Sequence, residues 1–176
     1  MTGFAERLKS SAFVMTSAGT PPLSVDPAAM IAKVASLKGL ADAVNVTDGA
    51  SARTAMDPLA AGAIMMREGV EPIVQFTCRD RNRIALQGSV VGAAALGIRA
   101  FLALTGDDPA KGDQPETKGV FDLNSNTLIS TIAGIGKGTL PNGREIGGSA
   151  PLVVGCADAP VDPADAWEPK GLLAKI

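Results

Sequence analysis

The chain has 176 residues, 46% of them hydrophobic, which suits one globular domain with a buried core and excludes a disordered or fibrous chain. Lys and Arg total 16 against 18 Asp and Glu, a net charge of −2, so nothing draws the chain toward nucleic-acid backbones or anionic lipid. With no histidine, Ser-His-Asp and Cys-His pairs, HExxH zinc helices and most catalytic zinc sites are excluded; chemistry must come from carboxylates, hydroxyls, Lys and Arg, or a bound cofactor.

Aromatic residues make up only 3% of the chain and tyrosine is absent, which removes stacking platforms for single strands. Cys78 and Cys156 form no CxxC, so a reducing compartment is expected. The longest apolar stretch, Ser89 to Ile98, is shorter than the ~20 residues a membrane span needs. Ala12 to Met15 is too short for the core of a signal peptide. The expected location is the cytoplasm.

Strand-length runs rich in apolar and β-branched residues are Phe13 to Ala18, Ala43 to Asp48, Ile73 to Cys78, Ala100 to Gly106 and Leu152 to Ala157. Helical patterns lie between them. After Asp26 and Pro27, the apolar residues Met30, Ile31, Val34 and Leu37 fall on one helical face. The Asp-Pro pair recurs at Asp57 and Pro58 and at Asp162 and Pro163, where Asp can accept first-turn N–H groups and Pro, lacking an N–H, fits the first helical position. Gly69 and Gly97 fall where the helices before the third and fourth strands should stop. The pattern is a βα repeat with parallel strands. The connection from Asp107 to Ser125 is instead long and polar, and is followed by a short helix (Leu128, Ile129, Ile132) and a second Gly-rich loop, Gly134 to Gly148.

Two architectures fit, an open doubly wound sheet or part of a (β/α)8 barrel, and in both ligands gather at the C-terminal strand ends. That directs attention to Ala18, Thr47, Asp48, Gln75, Thr77, Cys78, Asp107 and Cys156. In TCRDRNR, Arg79, Arg81 and Arg83 next to a helix start make a seat for a phosphate or carboxylate, or alternatively a solvated face with local pairing to Asp80. Asp107, just past the fourth strand, either accepts hydrogen bonds from a ligand or caps the turn with Asp108 and Pro109. Asn45 and Thr47 share one strand face, as do Gln75 and Thr77, either lining a ligand site or pairing with backbone. GIGKGT (Gly134 to Thr139) fails as a Walker loop because Thr131 occupies the required first glycine and a helix precedes it. The sequon at Asn45 to Thr47 lies inside an expected buried strand.

Taken together and in order, VTDGA, TCRDRNRIALQ, GAAALGI, LALTGDDPAKGDQP and VFDLNS resemble the methylenetetrahydrofolate reductase family, over about Phe13 to Lys175. The resemblance implies an α/β fold of the (β/α)8 TIM-barrel type, incomplete here at about five βα units, with residues 1–176 as a single domain. It implies FAD at the strand ends and reduction of 5,10-methylenetetrahydrofolate to 5-methyltetrahydrofolate, with NADH or NADPH reducing the flavin. Thr47, Gln75, Arg79, Arg81, Thr105 and Asp107 fall at positions expected to hold FAD, Asp107 near the isoalloxazine, and Gln75 stands where many relatives have histidine. Asp107 is then expected to share a pocket with Thr47 and Gln75.

Two departures accompany the resemblance. The family's first strand carries a glutamate three residues before a Pro-Pro pair, the acid that helps open the folate's methylene bridge; before Pro21 and Pro22 that place holds Ala18. Asp107 and Asp48 are the carboxylates left as catalytic candidates, Asp48 as the substitute acid. A complete barrel needs ~250 residues, and the family's later strands, with a Thr-Gln pair that meets the folate, are missing from this chain. A homo-oligomer or a completing partner chain is therefore expected, and the alternatives to an active reductase are a non-catalytic flavin- or folate-binding subunit and a truncated remnant. No metal, nucleic-acid or membrane role is expected.

Overall fold

A computed structural model describes residues 3–158, 167–173 and 175. Helix α1 (Phe4–Leu8) precedes β1 (Thr16–Gly19), α2 (Pro27–Ala35), β2 (Ala43–Val46), α3 (Pro58–Arg67), β3 (Pro72–Thr77), α4 (Arg83–Ala95), β4 (Ala100–Leu104), α5 (Ser125–Gly136), β5 (Val153–Cys156) and α6 (Lys170–Leu173). The strands form one five-stranded parallel sheet in the order β1-β2-β3-β4-β5. Parallel neighbours in sequence order, each joined to the next by a helical crossover, are the units of a (β/α)8 barrel; an open doubly wound sheet would reverse its strand order.

The helix starts follow their sequence signals. Asp26 accepts the Ala28 N–H and Asp57 accepts those of Leu59 and Ala60, each with proline next in line. Asp162 and Pro163 lie outside the described residues. Gly69 and Gly97 have the left-handed backbone (φ 74° and 94°) that follows a helix end. The first strand starts three residues later than its apolar run: Phe13 is 81% exposed, because β1 is an edge strand with one neighbour. The other strands match their runs to within two residues at each end.

Alternation divides the sheet into two faces. Val44, Val46, Val74, Phe76, Cys78, Phe101 and Ala103 point outward beneath the helices, with Met30 and Val34 of α2, Met65 of α3, Leu86 and Val90 of α4 and Leu128 and Ile132 of α5. Phe76 and Phe101 stack there at 5.9 Å between centroids. Burial among these side chains pushes the Cys78 thiol up to about 11, so it behaves as a small apolar residue and not as a nucleophile. The opposite, concave face carries Ala18, Asn45, Ile73 and Ala100 in one row and Gln75, Leu102 and Gly155 in the next. Phe4, on the short α1 that the sequence pattern did not announce, packs with Ala43, Ile73 and Ala100 at the N-terminal ends of the strands, and its N–H is held by Glu71 Oε2 at 2.9 Å. The base of the arc is plugged and its C-terminal rim is free for a site.

Candidate functional site

The rim is built by the loops after β2, β3 and β4. Asp48, one residue past Thr47, is 6% exposed. Its Oδ2 accepts from the Thr77 N–H (2.8 Å), the Thr77 hydroxyl (3.0 Å) and Arg81 Nη1 (2.7 Å), and its Oδ1 accepts from Arg81 Nη2 (3.3 Å). Arg81 also donates to Asp57 Oδ2 at 2.9 Å, and its guanidinium lies 5.6 Å from the centre of the Phe76 ring. Asp48 therefore ties β2 to β3 and to the start of α3. With both oxygens engaged inside the protein, it is not placed to donate a proton to a ligand on the concave face, and the expectation that it replaces the family's acid does not fit this geometry.

Arg79 runs inward. Its Nε and Nη2 donate to the two carboxylate oxygens of Asp80 at 2.8 and 2.7 Å, and Nη1 donates to the Gly49 carbonyl at 3.1 Å. It threads between Gly49 and Gly106, both with left-handed φ; a methyl at the first would meet Arg79 Nη2 and at the second Arg79 Cβ. Arg83, beyond the N-cap Asn82, pairs with Asp122 at 2.7 Å. The expected anion seat is thus divided: each of the arginines of TCRDRNR is matched to a carboxylate, and they reach in different directions. Apart from the adjacent Asp80, the carboxylates sit 24 to 39 positions away in sequence, so only the Asp80 contact was visible from spacing.

The exposed Arg83–Asp122 pair has a measurable signature. The Arg83 side-chain hydrogen bond, then the Arg83 backbone N–H, lower Asp122 from an ordinary 3.8 to about 2. A carboxylate depressed in the folded state stabilises fully above its unfolded value and loses that contribution as pH falls through the folded one. Acid titration followed by carbon NMR is expected to place the Asp122 midpoint near 2, and Asp122→Asn should remove its part of the stability change between about pH 4 and pH 2. An Asp122 midpoint near 3.8 would show that the pair does not form.

The remaining expected residues are arranged as follows. Thr47 follows β2, its N–H bonded to the Gly19 carbonyl at 3.3 Å, and its Oγ1 is buried without a hydrogen-bond partner. The β2–β3 register, in which Val46 pairs with Val74, places Thr47 beside Gln75 on the concave face. Thr105 Oγ1 accepts the Ser125 N–H at 3.4 Å, at the start of α5. Asp107 is exposed, and its Oδ2 accepts the Ser51 N–H at 2.9 Å across the rim. The cavity of about 320 Å³ at the rim is lined by Asp48, Gly49, Asp57, Arg79, Arg81 and Asp113 among others, and Thr47, Gln75 and Asp107 are not part of its lining. Thr47 and Gln75 are both half-buried on the concave face.

Sequence reasoning missed Ser51, Arg53, Asp113 and Gln114. Arg53 lines the cavity and has no ion-pair partner among the described residues. Nothing in local spacing announces these residues, because their partners come from another loop. Among the described residues, no group of His, Cys, Asp and Glu could hold a metal ion, and no helix is long and apolar enough to cross a membrane.

The orphaned Thr47 hydroxyl is what a polar ligand on the concave face would satisfy, since buried polar groups are ordinarily paired. Thr47 and Gln75 present polar groups on the same sheet face and Asp107 a carboxylate at the rim, whereas Arg79 and Arg81 hold the rim itself. No curated protein matches the chain. The sequence profile of the methylenetetrahydrofolate reductase family matches residues 4–136, from the start of α1 to the end of α5, well over half of the chain. On that match and this fold, the chain belongs to the methylenetetrahydrofolate reductase family.

Proposed function

We propose that the chain is the flavin-holding part of an oxidoreductase of folate one-carbon metabolism, acting in the cytoplasm, that reduces 5,10-methylenetetrahydrofolate to 5-methyltetrahydrofolate with NADH or NADPH. Family membership supports the oxidoreductase and folate parts of this reading. The observation that carries the cofactor part is the buried, unpartnered Thr47 Oγ1 at the end of β2.

FAD, when bound, supplies the hydride relay between nicotinamide and folate. Thr47 and Gln75 would hold it from the concave face, with the free Asp107 oxygen at the rim. Ser51 fixes that carboxylate through its other oxygen, so Asp107 is oriented before a ligand arrives. Asp48, Arg81, Arg79 and Thr105 orient the loops that carry these groups. The outer edges of β1 and β5 need pairing strands for the barrel to close and exclude water.

The test is FAD titration by fluorescence quenching. Thr47→Val keeps the shape and removes the hydroxyl; it is expected to weaken FAD binding about tenfold, the effect of one buried hydrogen bond. Equal affinity of both proteins would refute the assignment of Thr47. A specific observation favours a second reading: the methyl of Ala18 stands in the concave row with Asn45 and Ile73, where it can donate no proton. A yellow protein bleached by NADH supports the reductase; folate binding without turnover supports a non-catalytic subunit.

A further inference from the structure

We propose that the β2–α3 connection, residues 49–57, is a strained strap latched shut over the end of β3 by Asp113 and Gln114, and that its closure builds the rim cavity. The inference does not depend on the flavin reading. One wall of the cavity is Gly49 and residues 52–58, the facing wall is Pro109, Asp113, Gln114 and Thr117 of the β4–α5 connection, and Arg79 to Arg81 form the floor between them. With the strap swung away, a wall is missing and the cavity does not exist.

The strap is under strain. Ser51 (φ 57°, ψ 31°) and Ala52 (φ 54°) are consecutive residues in the left-handed region, where a Cβ crowds its own backbone. Core packing does not hold them there, since Ser51 is exposed and Ala52 only half-buried. The ends of the strap are anchored by Arg79 Nη1 on the Gly49 carbonyl (3.1 Å) and by the Met56 N–H on the Pro22 carbonyl (3.1 Å). Between those anchors the strap makes one backbone bond of its own, Arg53 N–H to the Ala50 carbonyl at 3.3 Å, and the remaining holding contacts come from the facing loop: the Ser51 N–H donates to Asp107 Oδ2 at 2.9 Å, the Thr54 N–H to Asp113 Oδ2 at 3.2 Å, and Gln114 Nε2 to Thr54 Oγ1 at 2.7 Å. Gly112 lies directly against the Ala52 carbonyl, leaving no room for a side chain between the loops. A strained segment held by exposed hydrogen bonds opens locally, at a free energy well below that of global unfolding.

Hydrogen exchange and limited trypsin cleavage read this opening directly, because the exposed Arg53 lies in the strap. Asp113→Ala removes the carboxylate arm of the latch and is expected to raise exchange across residues 49–57, and the cleavage rate after Arg53, about tenfold, while β3 and β4 keep their rates. Ala52→Gly relieves strain without touching the latch and is expected to lower both readouts about fivefold. Unchanged exchange in Asp113→Ala, or a rise shared equally by β3 and β4, would overturn the proposal, as would faster opening in Ala52→Gly. Should Asp113→Ala fail to fold, Ala52→Gly carries the test alone.

Discussion

Replacing Asp48 with alanine is expected to lower the unfolding free energy by about 3–5 kcal/mol, the usual result of removing one partner from a buried, hydrogen-bonded ion pair. The carboxylate accepts four hydrogen bonds while only 6% exposed. Its removal leaves the Thr77 N–H and hydroxyl without an acceptor, each costing about 1–3 kcal/mol where water cannot reach. Arg81 retains Asp57 and the face of Phe76, which keeps the total from being larger. For a chain of this length, about 2–4 °C of melting temperature accompanies each kcal/mol, so a fall of roughly 10 °C is expected in a thermal scan. Urea denaturation of Asp48→Ala, Arg81→Ala and the double variant would give the coupling directly. If the two changes are additive and Asp48→Ala costs less than about 1 kcal/mol, Asp48 does not tie the strands, and a role toward ligand has to be reconsidered.

The Asp48 result also shows where sequence reading ended. The alternation that puts Asn45 and Thr47 on one strand face, the Asp-Pro helix starts at Asp26 and Asp57 and the turn glycines Gly69 and Gly97 are local signals, fixed by backbone sterics and capping chemistry, and all were legible without coordinates. Placing Thr47 beside Gln75 needed only the parallel order of β2 and β3. What could not be read were partnerships across the chain. Arg81 meets Asp48 from 33 positions away and Asp57 from 24, and Ser51 meets Asp107 from 56. Spacing showed arginines near a helix start and so pointed to an anion seat; the fold brought a carboxylate to each of them instead. The left-handed pair Ser51 and Ala52 was equally hidden, since neither residue type signals that backbone and the contacts with the facing loop that help hold it come from distant positions.

Ala18→Glu is the change expected to have the largest effect on chemistry. Ala18 is exposed on β1, laterally paired with Asn45 and thereby in the concave row below Thr47 and Gln75. A longer side chain there displaces no core residue and creates no cavity, so little stability should be lost. Its carboxyl would occupy the concave side that Asp48 does not reach. Positioned general acids are worth about 10²- to 10⁴-fold, so folate-dependent turnover should rise by that factor if the absent acid is what limits it. In the proposed reaction the nicotinamide half would need no such acid and should be unchanged, which separates the effect from a general improvement in folding or flavin loading. Stopped-flow absorbance resolves the two halves, as bleaching by NADH and recolouring on addition of 5,10-methylenetetrahydrofolate. A variant that bleaches normally but recolours no faster than the natural chain would show that Ala18 is not the deficit. The limit would then lie in some other feature of the site than the side chain at position 18.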